Sequence, residues 1–397
     1  MGLKSRSVMV VGAGIAGIQA SLDLAEMGLD VHLVEESATI GGRMPQLDKT
    51  FPTNDCSMCI LAPKMSECAR HPNITIHIKS SVPTVTGNPG DFTAKIVEHA
   101  KYVDPIKCVS CGLCEEKCPV KVDDEFDMGL RKRGAISRSF LQSIPSEYTI
   151  DEEKCLYLTK GVCRICEKVC PAGAINYEDE DKEIDLKVGA VILASGIDAF
   201  DPIGFGHFGY KRYPNVVTSL DFERMLSASG PFGGHVLRAS DNKEPKSIAF
   251  IQCVGSRDES IDHNYCSSAC CMFAIKEAII AKEHMKGLES SIFYMDIRAF
   301  GKDFDKYYEK AKGQYGVQFI KSKVSEIREL DNGNLSLRHV LENGDIELAK
   351  FDMVVLSVGL EPRKNIVNLV KNLDIKLNEF GFCRSDTFEP LKTSREG

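Results

Sequence analysis

Twelve of the sixteen cysteines in this chain fall into three groups of four, and cysteine thiolates are strong ligands for iron and zinc. The first group is the run Cys108-Val-Ser-Cys111-Gly-Leu-Cys114-Glu-Glu-Lys-Cys118-Pro119, with the pattern C-x2-C-x2-C-x3-C-P. The second group is Cys155, Cys163, Cys166 and Cys170, followed by Pro171. It repeats the first pattern except that its first gap is stretched to seven residues.

These two spacings predict a pair of 4Fe–4S clusters. In two-cluster ferredoxins the fourth cysteine of each run ligates the cluster of the other run. The predicted ligands of the first cluster are therefore Cys108, Cys111, Cys114 and Cys170, and those of the second are Cys155, Cys163, Cys166 and Cys118. The alternative is a pair of zinc sites, which C-x2-C pairs also form. The third cysteine of each run and the proline after each fourth cysteine favour iron–sulfur.

The third group has the spacing C-x12-C-x3-C-C and consists of Cys253, Cys266, Cys270 and Cys271. It follows the apolar run Ser247–Gln252, a predicted strand that opens a second βαβ-like unit. A second dinucleotide would require a glycine-rich loop at this position, and none is present. The four cysteines suffice for one further 4Fe–4S cluster. The alternative is a set of buried structural thiols.

A dinucleotide site is indicated at the N-terminus. The apolar run Ser7–Val11 predicts a buried strand, and Gly12, Gly14 and Gly17 follow it before a predicted helix that extends to Met27. The glycines permit a tight turn, backbone approach to a pyrophosphate and close packing of the helix on the strand. Glu35 ends the next strand, where it can accept the ribose hydroxyls.

The ligand of this loop is predicted to be FAD. The segment Gly41-Gly42-Arg43-Met44 resembles the Gly-Gly segment that follows the ribose acid in flavoproteins with two dinucleotide domains. The strand-and-glycine segments that end at Gly196 and Gly359 resemble those by which that family's chain returns to the flavin. The candidate contacts are thus Gly42, Arg43, Gly196 and Gly359. The alternative is that the last two simply end core strands.

Composition excludes several classes of protein. The 397 residues are 43% hydrophobic and 27% charged, as in soluble globular proteins. The net charge of −8 and the lack of a long basic stretch argue against nucleic-acid binding. The sequence shows no membrane-spanning run and no signal peptide. Cysteines in ligand spacings, without an export signal, predict a cytoplasmic protein.

Taken together, the sequence resembles the family of heterodisulfide reductase A subunits. The resemblance rests on the stretch from Gly41 to Lys64, on the inserted ferredoxin-type block and on the Cys253–Cys271 pattern, and it covers essentially the whole chain. It implies a thioredoxin-reductase-like α/β fold of the Rossmann type, with an inserted two-cluster ferredoxin domain. It also implies that FAD and three 4Fe–4S clusters are bound.

The resemblance further implies a role in a complex of methanogenesis. In the family, the flavin divides an electron pair between ferredoxin and a disulfide such as the coenzyme M–coenzyme B heterodisulfide. The implied partners are B- and C-type subunits, ferredoxin and a hydrogenase- or dehydrogenase-type donor, and a homodimer is possible. Lys276 matches a lysine that is associated with the flavin ring, where a cation would favour the reduced anionic flavin. An ordinary solvated lysine is the alternative.

The predicted organisation is a flavin domain interrupted by insertions. The expected segments are 1–103, the start of the FAD domain; 104–184, the ferredoxin domain; 185–244, the FAD-domain return; 245–348, a nucleotide-domain-like unit; and 349–397, the last part of the FAD domain. The family's long members have an additional N-terminal cluster domain and usually a C-terminal ferredoxin domain. We therefore expect this chain to be a truncated or fragmentary member.

Two questions stay open from sequence. Cys56 and Cys59 are either a redox-active pair beside the flavin or structural residues that line its pocket, and the second interpretation is favoured. The chain is either a bifurcating component of a heterodisulfide reductase or an electron-transfer module of another complex, such as a quinone-linked one. A stand-alone pyridine-nucleotide disulfide reductase is disfavoured by the missing second glycine loop.

Overall fold

The structure is a computed structural model that describes residues 5–364 and 366–397. The chain divides into two compact units. Unit 1 comprises the N-terminal segment that ends at Pro45, together with Met58–Gly196 and Pro362–Gly397. Unit 2 comprises Gln46–Ser57 and Ile197–Glu361.

The strands of the described residues are β1 (Ser7–Val11), β2 (Asp30–Val34), β3 (Ile74–His77), β4 (Ser80–Asn88), β5 (Asp91–Glu98), β6 (Val122–Asp123), β7 (Lys132–Arg133), β8 (Ile136–Ser137), β9 (Thr149–Ile150), β10 (Lys182–Val188), β11 (Ala190–Leu193), β12 (Ile197–Ala199), β13 (Val216–Thr218), β14 (Ser247–Val254), β15 (Glu289–Tyr294), β16 (Gln318–Lys321), β17 (Val324–Glu329), β18 (Leu335–Val340), β19 (Ile346–Phe351), β20 (Met353–Val358) and β21 (Leu360–Pro362). The α-helices of the same residues are α1 (Ile15–Glu26), α2 (Ser57–Arg70), α3 (Leu113–Glu116), α4 (Leu156–Lys160), α5 (Ile165–Val169), α6 (Ser219–Leu226), α7 (Cys270–His284), α8 (Phe304–Gly313) and α9 (Ile366–Asn372).

Unit 1 is built on a parallel sheet with the strand order β11-β1-β2-β3. In its centre Val8 of β1 lies opposite both Ala190 of β11 and Val31 of β2. A central parallel strand is covered on both faces, which explains why β1 is a continuous apolar run rather than an alternating one. The strand predicted over residues 7–11 is confirmed, and the predicted helix after it ends at Glu26. An antiparallel sheet, β10-β5-β4, completes this part of the unit.

The cysteine-rich insert of unit 1 has little regular structure. Its strands form two short antiparallel pairs, β6 with β7 and β8 with β9, and its helices α3, α4 and α5 have four or five residues each. Its buried cluster includes Cys114, Cys118 and Cys155 beside Ile136 and Ile150. Cysteines therefore occupy core positions of this small insert.

Unit 2 is built on a five-stranded parallel sheet in the order β13-β20-β14-β15-β16. The buried residues of α7, which include Ile275 and Ile279, cover one face of this sheet. The antiparallel sheet β17-β18-β19 packs through Ile327, Leu335 and Leu337 against a separate cluster of buried sheet residues, which includes Ile251 and Val354. The unit thus has the strand-then-helix architecture expected for a nucleotide-binding domain.

The fold predicted from the sequence is confirmed, but the structure divides the chain at other positions. Residues 197–244 lie in unit 2 rather than with the flavin-type sheet, because β13 pairs with β20. Residues 349–361 also lie in unit 2, since β20 is held between β13 and β14. No helix of the described residues combines the length and the apolar character that crossing a membrane requires.

Candidate functional site

The glycine loop after β1 has the geometry of a dinucleotide cradle. Gly12 has φ +101°, and a Cβ at this position would lie 2.3 Å from the Ala194 carbonyl oxygen. A Cβ on Gly17 would lie 1.9 Å from the Gly12 carbonyl oxygen, so only glycine lets α1 approach the loop this closely. Gly14 caps α1, whose first turn has neither a side-chain cap nor an acidic residue. The positive end of the helix is therefore available to an anion such as a pyrophosphate.

Glu35 is tied to this loop by hydrogen bonds. Its Oε2 accepts from the Ala13 backbone N–H at 2.7 Å, and its Oε1 accepts from the Ser37 N–H at 2.9 Å. The side chain is buried. Each carboxylate oxygen can accept a second hydrogen bond, so the oriented carboxylate still has acceptor capacity for ribose hydroxyls.

The Gly41-Gly42 turn meets the glycine loop from the other side. Gly14 and Gly41 form a β-bridge, and the Gly41 N–H donates to the Ala13 carbonyl at 2.7 Å. A Cβ on Gly42, which has φ +62°, would lie 2.8 Å from Gly14 Cα. Arg43 next to it is exposed. The structure therefore brings two glycine segments that are distant in sequence into one cradle, as a bound dinucleotide requires.

The two remaining glycine candidates have different surroundings. Gly196, at the end of unit 1's second segment, is exposed with φ +72° and has open space where a Cβ would stand. Gly359 is buried in unit 2, where a Cβ would lie 2.7 Å from the Gly255 carbonyl oxygen. The close approach of the backbone at Gly359 to that at Gly255 explains why glycine stands at position 359. A contact of Gly359 with the flavin stays a prediction.

The first two cysteine groups line two separate cavities in the insert. One cavity is lined by Cys108, Cys111, Cys114 and Cys170. The other is lined by Cys118, Cys155, Cys163 and Cys166. Each cavity thus takes three cysteines from one run and one from the other, which is the exchange found in two-cluster ferredoxins. Of the eight cysteines, Cys111 and Cys163 are exposed.

The third cysteine group lines a cavity in unit 2. It is formed by Cys253, Cys266, Cys270 and Cys271, with Arg257, Asp296 and Arg298 at the same cavity. Cys253 has φ +61° and stands in an irregularity of β14, between Ile251 and Val254, where the register against β20 shifts. Such bulges redirect a side chain. Cys270 and Cys271 are the first two residues of α7. The bulge in β14 and the start of this helix together explain the unusual C-x12-C-x3-C-C spacing.

The three cavities are alike in chemistry. Each is lined by four cysteines, so each offers four thiol donors to one bound group. Within residues 5–364 and 366–397, no three His, Cys, Asp or Glu side chains converge closely enough to hold a single metal ion. A cubane makes a different demand, because its four thiolates stand around an inorganic core rather than one ion. The donor sets therefore fit 4Fe–4S clusters.

Burial raises the pKa of some of these thiols in the absence of iron. It raises the pKa of Cys114 and of Cys270 to about 12, and that of Cys253 to about 11. The physical cause is desolvation of the thiolate in an apolar cavity. Bound iron would reverse this preference, because a coordinating thiol is deprotonated.

Lys276 lies in a buried ionic group of unit 2 that the sequence did not predict. Its ammonium pairs with Glu223 of α6, and its Nζ donates to the Lys49 carbonyl oxygen at 2.9 Å. Glu277 beside it is completely buried, and its pKa is raised well above the ordinary value by desolvation and by Glu223. The burial of Lys276 excludes the alternative of an ordinary solvated lysine, and the flavin-tuning role stays a prediction.

Cys56 and Cys59 are both exposed. Cys56 is in the segment of unit 2 that spans residues 46–57, where it forms a β-bridge with Lys49. Cys59 is in the first turn of α2 in unit 1. The structural interpretation of this pair stays a prediction.

Comparison with known families agrees with this geometry. Residues 7–53 match the family of FAD dependent oxidoreductases, and residues 101–122 match the 4Fe-4S binding domain. Among solved structures, the Lactococcus lactis thioredoxin reductase is similar in fold, with a TM-score of 0.51 at 12% identity. That match covers 98% of this chain and 86% of the reductase.

Curated relatives are much more similar in sequence. The chain is 45% identical to the iron–sulfur A subunit of the CoB–CoM heterodisulfide reductase of Methanocaldococcus jannaschii, over 99% of this chain and 60% of that protein. It is 48% identical to the second iron–sulfur A subunit of the CoB–CoM heterodisulfide reductase of Methanopyrus kandleri, over 98% of this chain and 59% of that protein. It is 43% identical to the A subunit of the H2:CoB-CoM heterodisulfide,ferredoxin reductase of Methanothermobacter marburgensis, over 98% of this chain and 59% of that protein. The chain thus spans about 60% of the length of these relatives. Over that part, it is a homologue of the heterodisulfide reductase A subunits.

Proposed function

We propose that this chain is the FAD and iron–sulfur electron-transfer part of a heterodisulfide reductase-type complex. In this role it links a two-electron donor, ferredoxin and disulfide reduction by flavin-based electron bifurcation. The observation that carries the proposal is the grouping of twelve cysteines around three cavities in sets of four. Bound FAD exchanges electrons singly or in pairs, and each 4Fe–4S cluster exchanges one.

The residues of unit 1 have distinct roles in holding FAD. Gly12, Gly14 and Gly17 bring the N-terminus of α1 to the pyrophosphate, and Glu35 binds the ribose. The segment at Gly42 and Arg43 closes the other side of the cradle. The support for these roles is the close approach of the Gly12–Gly14 and Gly41-Gly42 segments and the uncapped first turn of α1.

The proposed partners follow from the names of the relatives. Relatives are named as reductases of CoB-CoM heterodisulfide together with ferredoxin, linked in some cases to H2 or formate. We therefore propose ferredoxin, B- and C-type subunits and a hydrogenase- or dehydrogenase-type donor as partners. A cytoplasmic location is also proposed, because a reducing compartment keeps twelve cysteine ligands from forming disulfides.

A second function remains a candidate, namely electron transfer in another complex that never reduces heterodisulfide. Its basis is that the glycine cradle and the three cysteine sets fit any flavin and iron–sulfur relay. The two functions differ in whether the assembled complex reduces the coenzyme M–coenzyme B heterodisulfide, and an assay with that substrate separates them.

The cofactor content tests the proposal directly. Anaerobically prepared protein should contain about twelve iron atoms, the same amount of acid-labile sulfide and one FAD. Replacing one cysteine of each set in turn, Cys111→Ser, Cys166→Ser or Cys270→Ser, should remove about four iron atoms. Cys68→Ala is the matched control, because this buried cysteine lies in the apolar core of unit 1. Stoichiometric zinc with little sulfide would contradict the assignment.

Measuring electron delivery to ferredoxin tests whether electrons pass through the two cysteine sets of the insert. Cys111→Ser and Cys166→Ser leave the Gly12 loop and Glu35 unchanged, so both variants should retain FAD. They should nevertheless lose reduction of an added ferredoxin, while a low-potential dye should still reduce the flavin. Unchanged ferredoxin reduction in both variants would show that electrons leave by another route, such as the Cys253–Cys271 site.

A further inference from the structure

Two tyrosines and an arginine line the cavity of the second cysteine set. The Tyr177 hydroxyl lies 3.0 Å from the Sγ of Cys166. The ring of Tyr177 packs on that of Tyr157, with centroids 4.2 Å apart. The guanidinium of Arg164 lies over both rings, 5.1 Å from the centroid of Tyr157 and 5.5 Å from that of Tyr177. The ring packing and the cation hold the hydroxyl in place.

In the cavity of the first cysteine set, the observed hydrogen bond to a sulfur comes from the backbone. The Sγ of Cys170 accepts it from the Ala174 N–H at 3.4 Å. Tyr148 lines this cavity, but within residues 5–364 and 366–397 no hydroxyl lies at hydrogen-bond distance from a sulfur of the set, as the Tyr177 hydroxyl does from Cys166. The two cavities of the insert therefore differ by one hydroxyl directed at one ligand sulfur.

The negative charge of a ligand sulfur decides how this hydrogen bond would change the reduction potential of a bound cluster. A thiolate that binds iron has no proton, so the Tyr177 hydroxyl must be the donor. A hydrogen bond to a ligand sulfur stabilises the more negative, reduced form of a cluster and so raises its reduction potential. The nearby Arg164 acts in the same direction, although its ion pair with Glu167 at 2.6 Å offsets its charge.

We propose that Tyr177 is a positioning residue that raises the reduction potential of the cluster held by Cys118, Cys155, Cys163 and Cys166. It does so through its hydrogen bond to the Cys166 sulfur, and the proton stays on the tyrosine when the electron arrives. The two clusters of the insert thereby acquire different potentials although their ligand spacings are related. This inference rests on the cluster assignment of the proposed function.

The test is a Tyr177→Phe variant, which removes the hydroxyl and keeps the ring beside Tyr157 and Arg164. Redox titration of the anaerobic protein, followed by electron paramagnetic resonance, should show one cluster shifted to a lower potential. The signal that is absent in Cys166→Ser identifies which cluster has shifted. Tyr157→Phe is the matched control, since this ring is in the same stack without the sulfur contact, and its potentials should stay unchanged.

A second readout detects the hydrogen bond itself. An exchangeable proton coupled to the reduced cluster should be lost in Tyr177→Phe and retained in Tyr157→Phe. Unchanged potentials in Tyr177→Phe, or equal shifts in both variants, would overturn the inference. Loss of four iron atoms from Tyr177→Phe alone would also overturn it, because the hydroxyl would then hold the cluster. Absence of the cluster from the unmodified protein would instead refute the proposed function.

Discussion

Replacing Lys276 by methionine should destabilise unit 2 strongly. The lysine is 1% exposed, and its partner Glu223 is completely buried. The ammonium also donates to the Lys49 carbonyl and lies 5.0 Å from the centre of the Phe273 ring. Methionine retains the apolar stem, so the change removes the charge and its hydrogen bonds while leaving little cavity.

The size of the effect follows from the unpaired charge. Removing one partner of a buried ion pair costs about 3–5 kcal/mol, because the other charge is left without compensation. Here the remaining charge is Glu223, and the neighbouring Glu277 is also a carboxyl group. For a unit of this size, each kcal/mol lowers the thermal midpoint by about 2–4 °C. The expected decrease is therefore about 6–20 °C.

Anaerobic thermal unfolding at fixed scan rate and equal iron and flavin content measures this decrease. Lys286→Met is the matched control, since Lys286 is exposed just after α7 and should change the midpoint by no more than about 2 °C. The double variant Lys276→Met, Glu223→Gln should recover most of the loss, because it removes both charges. The reasoning is refuted if Lys276→Met melts with the Lys286 control, or if the double variant is no more stable than the single one.

Three further predictions concern proton binding, flavin binding and the electron donor. The raised pKa of Glu277 makes the native state bind a proton that the unfolded state releases, so the unmodified protein should lose stability as the pH rises from about 5 to 8, and Glu277→Gln should become more stable relative to it. A difference in thermal midpoint that is constant with pH would contradict this. Gly42→Ala should weaken FAD binding about tenfold in an equilibrium fluorescence titration, since its Cβ would press on Gly14. Gly90→Ala is the control, because Gly90 also has a positive φ but has open space at the Cβ position, and it should leave flavin binding unchanged. NADPH should not bleach the flavin absorbance of the anaerobic protein, because the loop after β14 holds cysteines where a second glycine loop would bind the nucleotide. Rapid bleaching would exclude this interpretation.

Much of this protein could be predicted from local sequence. Ligand spacing within a few residues and the strand–glycine–helix pattern are short-range signals, because a turn or a helix start sets where neighbouring side chains point. The cysteine sets proposed from spacing are the sets that share cavities in the structure, including the exchange of Cys118 and Cys170 between runs. The strand at Ser7–Val11 likewise occurs where its apolar run predicted it.

Other features depend on contacts between residues that are distant in sequence, and only the tertiary structure decided them. The assignment of residues 197–244 to unit 2 follows from the pairing of β13 with β20, more than a hundred residues later. Lys276 is buried because Glu223 and the Lys49 carbonyl meet it, and no local pattern indicates those partners. The Tyr177 hydroxyl reaches Cys166 only through the packing of its ring on Tyr157. A side chain's charge or hydrogen-bonding role depends on which groups surround it, and those groups come from elements that only folding brings together.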